Sequence, residues 1–417
     1  VLDSTKLKIK ESLQATREKR KLQICKVFEL KIDESHLSKK EINQLKMYFI
    51  EAKWLYNFIL SEGKPFDYDY KRNPIKKLDN NGNLIDVYLE YLPPRFKQTT
   101  LSGLKNNIIK LSKCKKSGRR VGELKFKSKY NSIDMNENLI THYISGNDRF
   151  KILGIKRHLK VKGLQQITSE MEIANAKLLQ KPDGFYIKLI TFQYQKIEIK
   201  QKEKKHSVGL DFGIQRNITT SDNEFMNVSV MESKRLKYLQ RRFAKTKKGS
   251  NNRYKLQKLI QIEYQKITNQ KKDRANKIVH YLLSNYNTIV MQDENLRGWQ
   301  KGWFGKQVQH SAMGTIKAKL KLSNQVIIID KWFPTTKLCL NCGCIKDNNI
   351  LSERIFTCEC GYSEDRDIKS AKTILKIGLI KDIGTEHIEF KPVEKIEDFK
   401  ETYVDLKHFS SKQEALS

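Results

Sequence analysis

The heptapeptide SVGLDFG, residues 207–213, decides how this chain is read. Val208 and Leu210 share the apolar face of a short strand, so Asp211 turns the other way, close to the strand's end. Gly209 and Gly213 leave space for a backbone or substrate to approach closely. The plain alternative for such an acid is a turn or helix cap. Immediately upstream, residues 196–205 (KIEIKQKEKK) form a charged linker and predict a domain boundary. Downstream, a second short strand is expected near Asn217–Thr220, with a turn at Ser221-Asp222-Asn223. Residues 232–284 carry apolar side chains at helical spacing, interrupted at Thr246–Asn252, and predict two antiparallel helices. Strands at 288–292 and 325–330, with a helix between them, complete the order of an α/β sheet domain.

Two further segments bring carboxylates to the ends of elements. TIVMQ, 288–292, runs into Asp293 and Glu294, and either acid qualifies, whereas Gln292 cannot serve as an ionised ligand. Asp365-Arg366-Asp367 opens a helix with Ile368, Ala371, Ile374 and Leu375 on its buried side, and capping suits Asp365 better than Asp367. Three acids scattered along a chain suit phosphodiester hydrolysis. Two Mg²⁺ ions about 3.5–4 Å apart activate a water and stabilise the leaving oxygen, and such hard cations take carboxylate oxygens.

Seven cysteines are present, and five of them (Cys339, Cys342, Cys344, Cys358, Cys360) fall within 22 residues. Cys339-x₂-Cys342 and Cys358-x-Cys360 predict one structural Zn²⁺ held by four thiolates, with no position left for water. The second pair is one residue tighter than usual, and Cys344 offers a spare thiolate. Cys25 sits in the alternation of Ile24, Val27 and Phe28 and reads as a packed core thiol.

The formal net charge of +34 points to a polyanionic partner, with nucleic acid first and a membrane surface or a ribosomal-type role as alternatives. No apolar run approaches the ~18 residues of a spanning helix, and Val1–Arg20 lacks an apolar signal core, so a cytoplasmic protein is expected. Residues 21–32 alternate as a strand. A helix starts after Ser38, 67–95 reads as a loop or excursion, and 98–111 as a second helix. Residues 101–130 hold ten Lys and Arg against one acid, interleaved with Gly118, Gly122, Phe126 and Tyr130. Lys115, Lys116, Arg119, Arg120, Lys125, Lys127 and Lys129 are therefore candidates for tracking a phosphate backbone, against the plain reading of a solvated loop. Between 131 and 196 short strands predict an antiparallel barrel or sandwich, discontinuous with the first strand.

Together these segments resemble the TnpB proteins of insertion sequences and their miniature type V-F CRISPR relatives. "DKWFPTTKLCLNCG" and "LSERIFTCECGYSEDRDIKSAKTIL", within 330–375, are similar to the family's zinc ribbon running into its last catalytic Asp. The family reads D-R-D-x-N-A-A where this chain has Lys369 and Ser370. "VGLDFGIQRNITTSD" resembles the first motif, and "MQDENLRGWQKGWFGKQVQHSAMG" the second. Glu294 matches best there, although an ungapped E-D-L match puts Gln292 at the acidic position. "GELKFKSKYNS" and "FIEAKWLYNFIL" resemble, more loosely, the wedge and recognition regions.

The resemblance implies an α+β multidomain protein: a wedge β-barrel from 1–35 and 120–200, and an inserted helical recognition region over 36–119. A RuvC (RNase H-like) nuclease domain follows from 206–335 and 361–380, carrying a zinc ribbon at 336–360, before a tail at 381–417. It implies catalysis by Asp211, Glu294 and Asp367 on two Mg²⁺ ions, a guide RNA, target DNA and a possible homodimer around one RNA. The alternatives are a guided DNA-binding protein or transposon accessory factor that does not cut.

Overall fold

In the computed structural model the described residues are 2–79, 81–135, 148–194, 206–346 and 353–382. The expected linker at 196–205 and the tail at 381–417 lie outside them, apart from the last turn of the final helix. The chain divides into two compact units, residues 1–198 and 199–417.

The first unit begins with helix α1 (Leu2–Lys21), where the sequence reading had placed the start of a barrel. Strand β1 (Gln23–Ile32) follows, then helix α2 (Lys39–Glu62). A reciprocal cap fixes the start of α2: Ser38 Oγ accepts from the Glu41 N–H while the Glu41 carboxylate accepts from the Ser38 N–H. Gly63, at φ 69°, ends it. The 67–95 excursion contains a hairpin, β2 (Ile75–Leu78) and β3 (Leu84–Val87), and leads into α3 (Pro94–Lys116). Strands β4 (Ser132–Met135), β5 (Arg149–Phe150), β6 (Leu159–Lys162), β7 (Glu172–Lys181) and β8 (Gly184–Tyr194) join β1 in an antiparallel sheet ordered β4-β7-β8-β1-β6-β5. The expected barrel is thus a curled half-barrel, with β4 and β5 as unjoined edges.

Tyr48, Phe49, Leu55 and Ile59 of α2 pack on Leu30, Ile32, Leu178 and Ile187 of the sheet. That cover reaches only the end of β1. Cys25, expected in the core, is exposed together with Ile24 and Val27, because this end of β1 pairs with β8 alone. Glu51 is buried on α2, and its carboxylate accepts the N–H groups of Glu90, Tyr91 and Leu92, which clamps the excursion to the helix.

The second unit is built on β9 (Val208–Phe212), β10 (Ile218–Thr220) and β11 (Phe225–Met226), helices α4 (Lys234–Ala244) and α5 (Asn251–Asn285), and β12 (Ile289–Gln292). Three short helices, α6 (Leu296–Lys301), α7 (Gly305–His310) and α8 (Met313–Leu320), stand where one was expected, before β13 (Val326–Ile329). The sheet order is β11-β10-β9-β12-β13, with β9, β12 and β13 parallel and the hairpin strands antiparallel. A small hairpin, β14 (Ile355–Thr357) and β15 (Ser363–Asp365), feeds directly into α9 (Arg366–Asp382).

Strand alternation sorts the two faces of this mixed sheet. Val208, Leu210, Ile289 and Met291 pack against Ala275 and Leu282 of α5 and Ile316 and Leu320 of α8. Val290 and Ile329 face the opposite way and meet Ile374 of α9. Gly209 lies on this second face. A Cβ there would overlap the Ala371 carbonyl oxygen and stand 2.8 Å from the Leu375 nitrogen, so only glycine lets α9 pack this close. No helix among the described residues is long and apolar enough to cross a membrane.

Candidate acid edge and thiol cluster

Asp211 lies two residues beyond Gly209 on the same strand and so on the face that α9 covers. Asp367 lies one turn before Ala371, the residue that meets Gly209, and therefore comes to the Asp211 end of the strand. The parallel register pairs Met291 with Leu210, which sets the end of β12 beside Asp211, with Glu294 just past it. Burial first, then the negative fields of Glu294 and Asp367, hold the Asp211 carboxyl well above the usual carboxylate range. Part of Asp211 still reaches solvent.

Each acid has a distinct set of neighbours. Asp365 Oδ1 accepts the N–H groups of Asp367 (3.0 Å) and Ile368 (3.3 Å), capping α9. Asp367 Oδ2 lies 3.1 Å from Arg354 Nη1 and 3.8 Å from Arg216 Nη1. Glu294 is half-buried, and desolvation raises its carboxyl above the usual range, although its Oε2 accepts from the ammonium of Lys317, itself only 5% exposed. Its Oε1 is buried without any hydrogen-bond partner. Asp293 turns to Lys321 at 2.6 Å and stays below the usual carboxylate range, chiefly through that bond, so the two adjacent acids are electrostatically opposite. Gln292 is occupied elsewhere: its amide donates to the Asp330 and Phe333 carbonyls and accepts from the Thr335 hydroxyl.

The thiols form the other cluster. Cys339, Cys342, Cys358 and Cys360 have Sγ atoms all within 4.8 Å of one another, with Cys339–Cys360 and Cys342–Cys358 each at 3.6 Å. A tetrahedron with metal–sulfur bonds of about 2.3 Å has edges of ~3.8 Å, so the donor set fits Zn²⁺. Each pair sits in a turn closed by a glycine at positive φ, Gly343 (75°) and Gly361 (85°). Cys344 stands outside the cluster, exposed, with its carbonyl accepting the Cys339 N–H. Without a metal, burial pushes the Cys339 thiol up to about 12, while the Tyr362 N–H holds Cys360 down to about 6. Among the described residues the thiols are the group compact enough to surround one ion; the three acids are not.

Lys369 joins the two clusters. Fully buried, it donates to the carbonyls of Thr335 (3.0 Å), Thr336 (2.7 Å) and Leu338 (3.0 Å), at the approach to Cys339. Burial lowers its pKa to about 8. Nothing in the sequence singles out Lys317 or Arg354 among 81 basic residues, and Lys369 stands out only as a departure from the family motif, since tertiary contacts alone give them these partners.

In the first unit, Lys115 and Lys116 end α3, and Arg119, Arg120, Lys125 and Lys129 are exposed on the irregular segment that follows. Lys127 differs. Its ammonium lies over the rings of Tyr56 (4.0 Å) and Tyr130 (4.3 Å), and its backbone exchanges two hydrogen bonds with the Asn57 side chain.

Residues 190–301 match the family model OrfB_IS605, described as "Probable transposase", and residues 312–374 match the "Cas12f1-like, TNB domain". Over these two segments the chain resembles the TnpB/OrfB_IS605 family and the Cas12f1-like TNB domain. It is 31% identical over 182 residues to a Streptomyces pristinaespiralis protein named "Putative RNA-guided DNA endonuclease", which covers 42% of this chain and 45% of that protein. "Putative RNA-guided DNA endonuclease InsQ" of Escherichia coli K12 is 27% identical over 41% of this chain and 48% of its own length. "TnpB-like protein L79" of Acanthamoeba polyphaga mimivirus is 29% identical over 42% and 38%, respectively. The chain thus spans less than half of each of these relatives in the match. A solved chain described as "Cryo-EM structure of the Cas12f1-sgRNA-target DNA complex" covers 84% of this chain and 99% of itself at 16% identity. Its TM-score of 0.26 is below the range of a shared fold.

Proposed function

We propose that the chain is an RNA-guided DNA endonuclease that hydrolyses target DNA at a RuvC-type site formed by Asp211, Glu294 and Asp367. The observation that carries this reading is carboxylate charge that the neighbouring cations answer only in part. Asp211 is raised by burial first and then by two neighbouring carboxylates, and Glu294 Oε1 is buried without a partner. Such an arrangement costs stability unless divalent cations occupy it. Two Mg²⁺ ions, when bound, would supply an activated water and charge stabilisation for the leaving oxygen. The protein's part is to hold the acids: β9 presents Asp211, Lys317 orients Glu294, and the Asp365 cap leaves the Asp367 carboxylate clear of its own helix end.

The same reading assigns the half-barrel to a wedge and α2–α3 to a recognition region. Together they would hold guide RNA and heteroduplex through the exposed cations of 113–129, by backbone and shape. The ribbon of four thiolates would hold one structural Zn²⁺ and anchor the chain entering α9. The names of the relatives support the guide and the DNA substrate. The test is to sequence RNA that co-purifies with the chain, then assay Mg²⁺-dependent cutting of DNA complementary to it. A defined structured RNA and cutting abolished by Asp211→Asn are expected; no cutting by the intact chain with its RNA would sink the proposal.

A further inference from the structure

The chain has four tryptophans, and two of them stand in water: Trp303 is 101% exposed and Trp332 80%. Isolated apolar residues on a surface are ordinary, so their placement has to decide what they mean. Trp332 follows β13 by three residues, and β13 ends with Ile329 beside Gln292. It therefore leaves the sheet at the edge where Asp211 and Glu294 stand. The turn is held firmly. The Trp332 N–H donates to Asp330 Oδ1 at 2.6 Å, and the neighbouring Phe333 is buried, with its carbonyl bound by Gln292. Anchoring Phe333 inward presents Trp332 outward. Lys331 Nζ lies 4.8 Å from the Trp332 ring centroid, so a cation and an open indole face come as a pair. Trp303 sits between α6 and α7, the segment that departs directly after Glu294. Lys301 and Lys306 flank it, and Phe304, 53% exposed, is adjacent.

We infer that Lys331–Trp332 and Trp303 form a stacking platform for unpaired nucleotides of the DNA strand presented to the acid edge. Base faces are covered in a duplex and free in a single strand, and rings interleaved with cations are how proteins bind single strands without reading sequence. This inference rests on the nuclease reading for its substrate, but not for its measurement.

The test uses the full chain carrying Asp211→Asn, followed by tryptophan fluorescence during titration with a dT 12-mer, a 12-base-pair duplex and an oligouridylate of equal length. Quenching by the dT strand and not by the duplex is expected. Trp332→Ala and Trp303→Ala should each weaken dT binding on the order of tenfold, while Trp332→Phe retains most of it. Lys331→Gln should flatten the log–log salt slope by roughly 0.7. Unchanged affinity in both alanine variants, equal quenching by duplex, or tighter binding of the oligouridylate would overturn the platform. If the chain with Asp211 intact cuts no DNA but the alanine variants lose dT binding as stated, the nuclease reading fails and the platform stands. If it cuts, and the variants bind and cut as the parent does, the platform alone fails.

Discussion

The four thiols and the three carboxylates occupy one unit of the chain, and one buried lysine touches the borders of both, yet the two groups are arranged in opposite ways. The thiols already stand at 3.6 Å spacings inside glycine-closed turns, close to the geometry a tetrahedral ion imposes. The carboxylates do not close on one point. Asp367 leans on Arg354 and Glu294 on Lys317, while Asp211 faces both acids with its ionisation opposed. A structural site can be satisfied once and left. Under the proposed nuclease reading, the acid edge keeps charge in reserve until ions and substrate arrive, and that reserve is a stability cost borne by the metal-free fold.

The largest expected effect follows from this contrast. Asp211→Asn should lower Mg²⁺-dependent DNA cutting by roughly a thousandfold or more. The same substitution should raise the melting temperature of the metal-free chain, because it removes the buried like charge. A melting temperature that falls instead would show that Asp211 is a structural acid. Next in size, the double substitution Cys339→Ser, Cys342→Ser should release zinc and unfold the ribbon. Measured metal content should fall from about one ion to none, with activity lost through α9. Cys344→Ser should retain full zinc content, which separates the four ligands from the spare thiol.

How far the sequence disclosed this depended on how local each feature is. The cysteine pairs are read from spacing alone, because a knuckle needs only a few residues and a glycine. Likewise, the two faces of β9 follow from the alternation of Val208 and Leu210 around Gly209. The approach of Asp367 came from the family resemblance and not from spacing, since it depends on α9 crossing β9 tightly enough to exclude a Cβ at Gly209. Between Asp293 and Glu294 the residues alone left the choice open and the resemblance favoured Glu294; their opposite environments come from Lys321, just past α8, and Lys317, on it. Cys25 shows the reverse failure. Its alternation is real, but burial needs a covering element, and α2 reaches only the far end of β1. In the same way the basic run of 101–130 could not show that Lys127 would be turned onto two tyrosines.

Lys369 is the physical tie between the two clusters. Lys369→Met keeps the apolar stem and removes the ammonium, leaving the carbonyls of Thr335, Thr336 and Leu338 without their donor. A loss of about 2–4 kcal/mol in the stability of the second unit is expected by denaturant melting, with faster zinc release to a chelator. Unaltered zinc release would mean that the ribbon holds its own shape and Lys369 serves only α9.

The smallest effect calibrates the rest with a carboxylate whose charge is fully answered. Glu41 accepts two bonds from Arg157, at 2.7 Å each, and the Ser38 N–H, and these hold its pKa down to about 2, with the Arg157 bond contributing most. A depressed carboxylate contributes stability above its unfolded value of 4.5, and that contribution is lost as pH falls from there toward about 2. Glu41→Gln should therefore narrow the gap to the parent's melting temperature as pH drops from 5 to 2, with the full difference present at pH 7. Asp211 carries the opposite sign of shift, so ionising it opposes the metal-free fold where ionising Glu41 supports it. If Glu41→Gln instead left the melting temperature unchanged at pH 7, solvent screening would have erased even a bidentate pair at the surface. The unanswered charge at the acid edge would then owe its size to burial rather than to geometry.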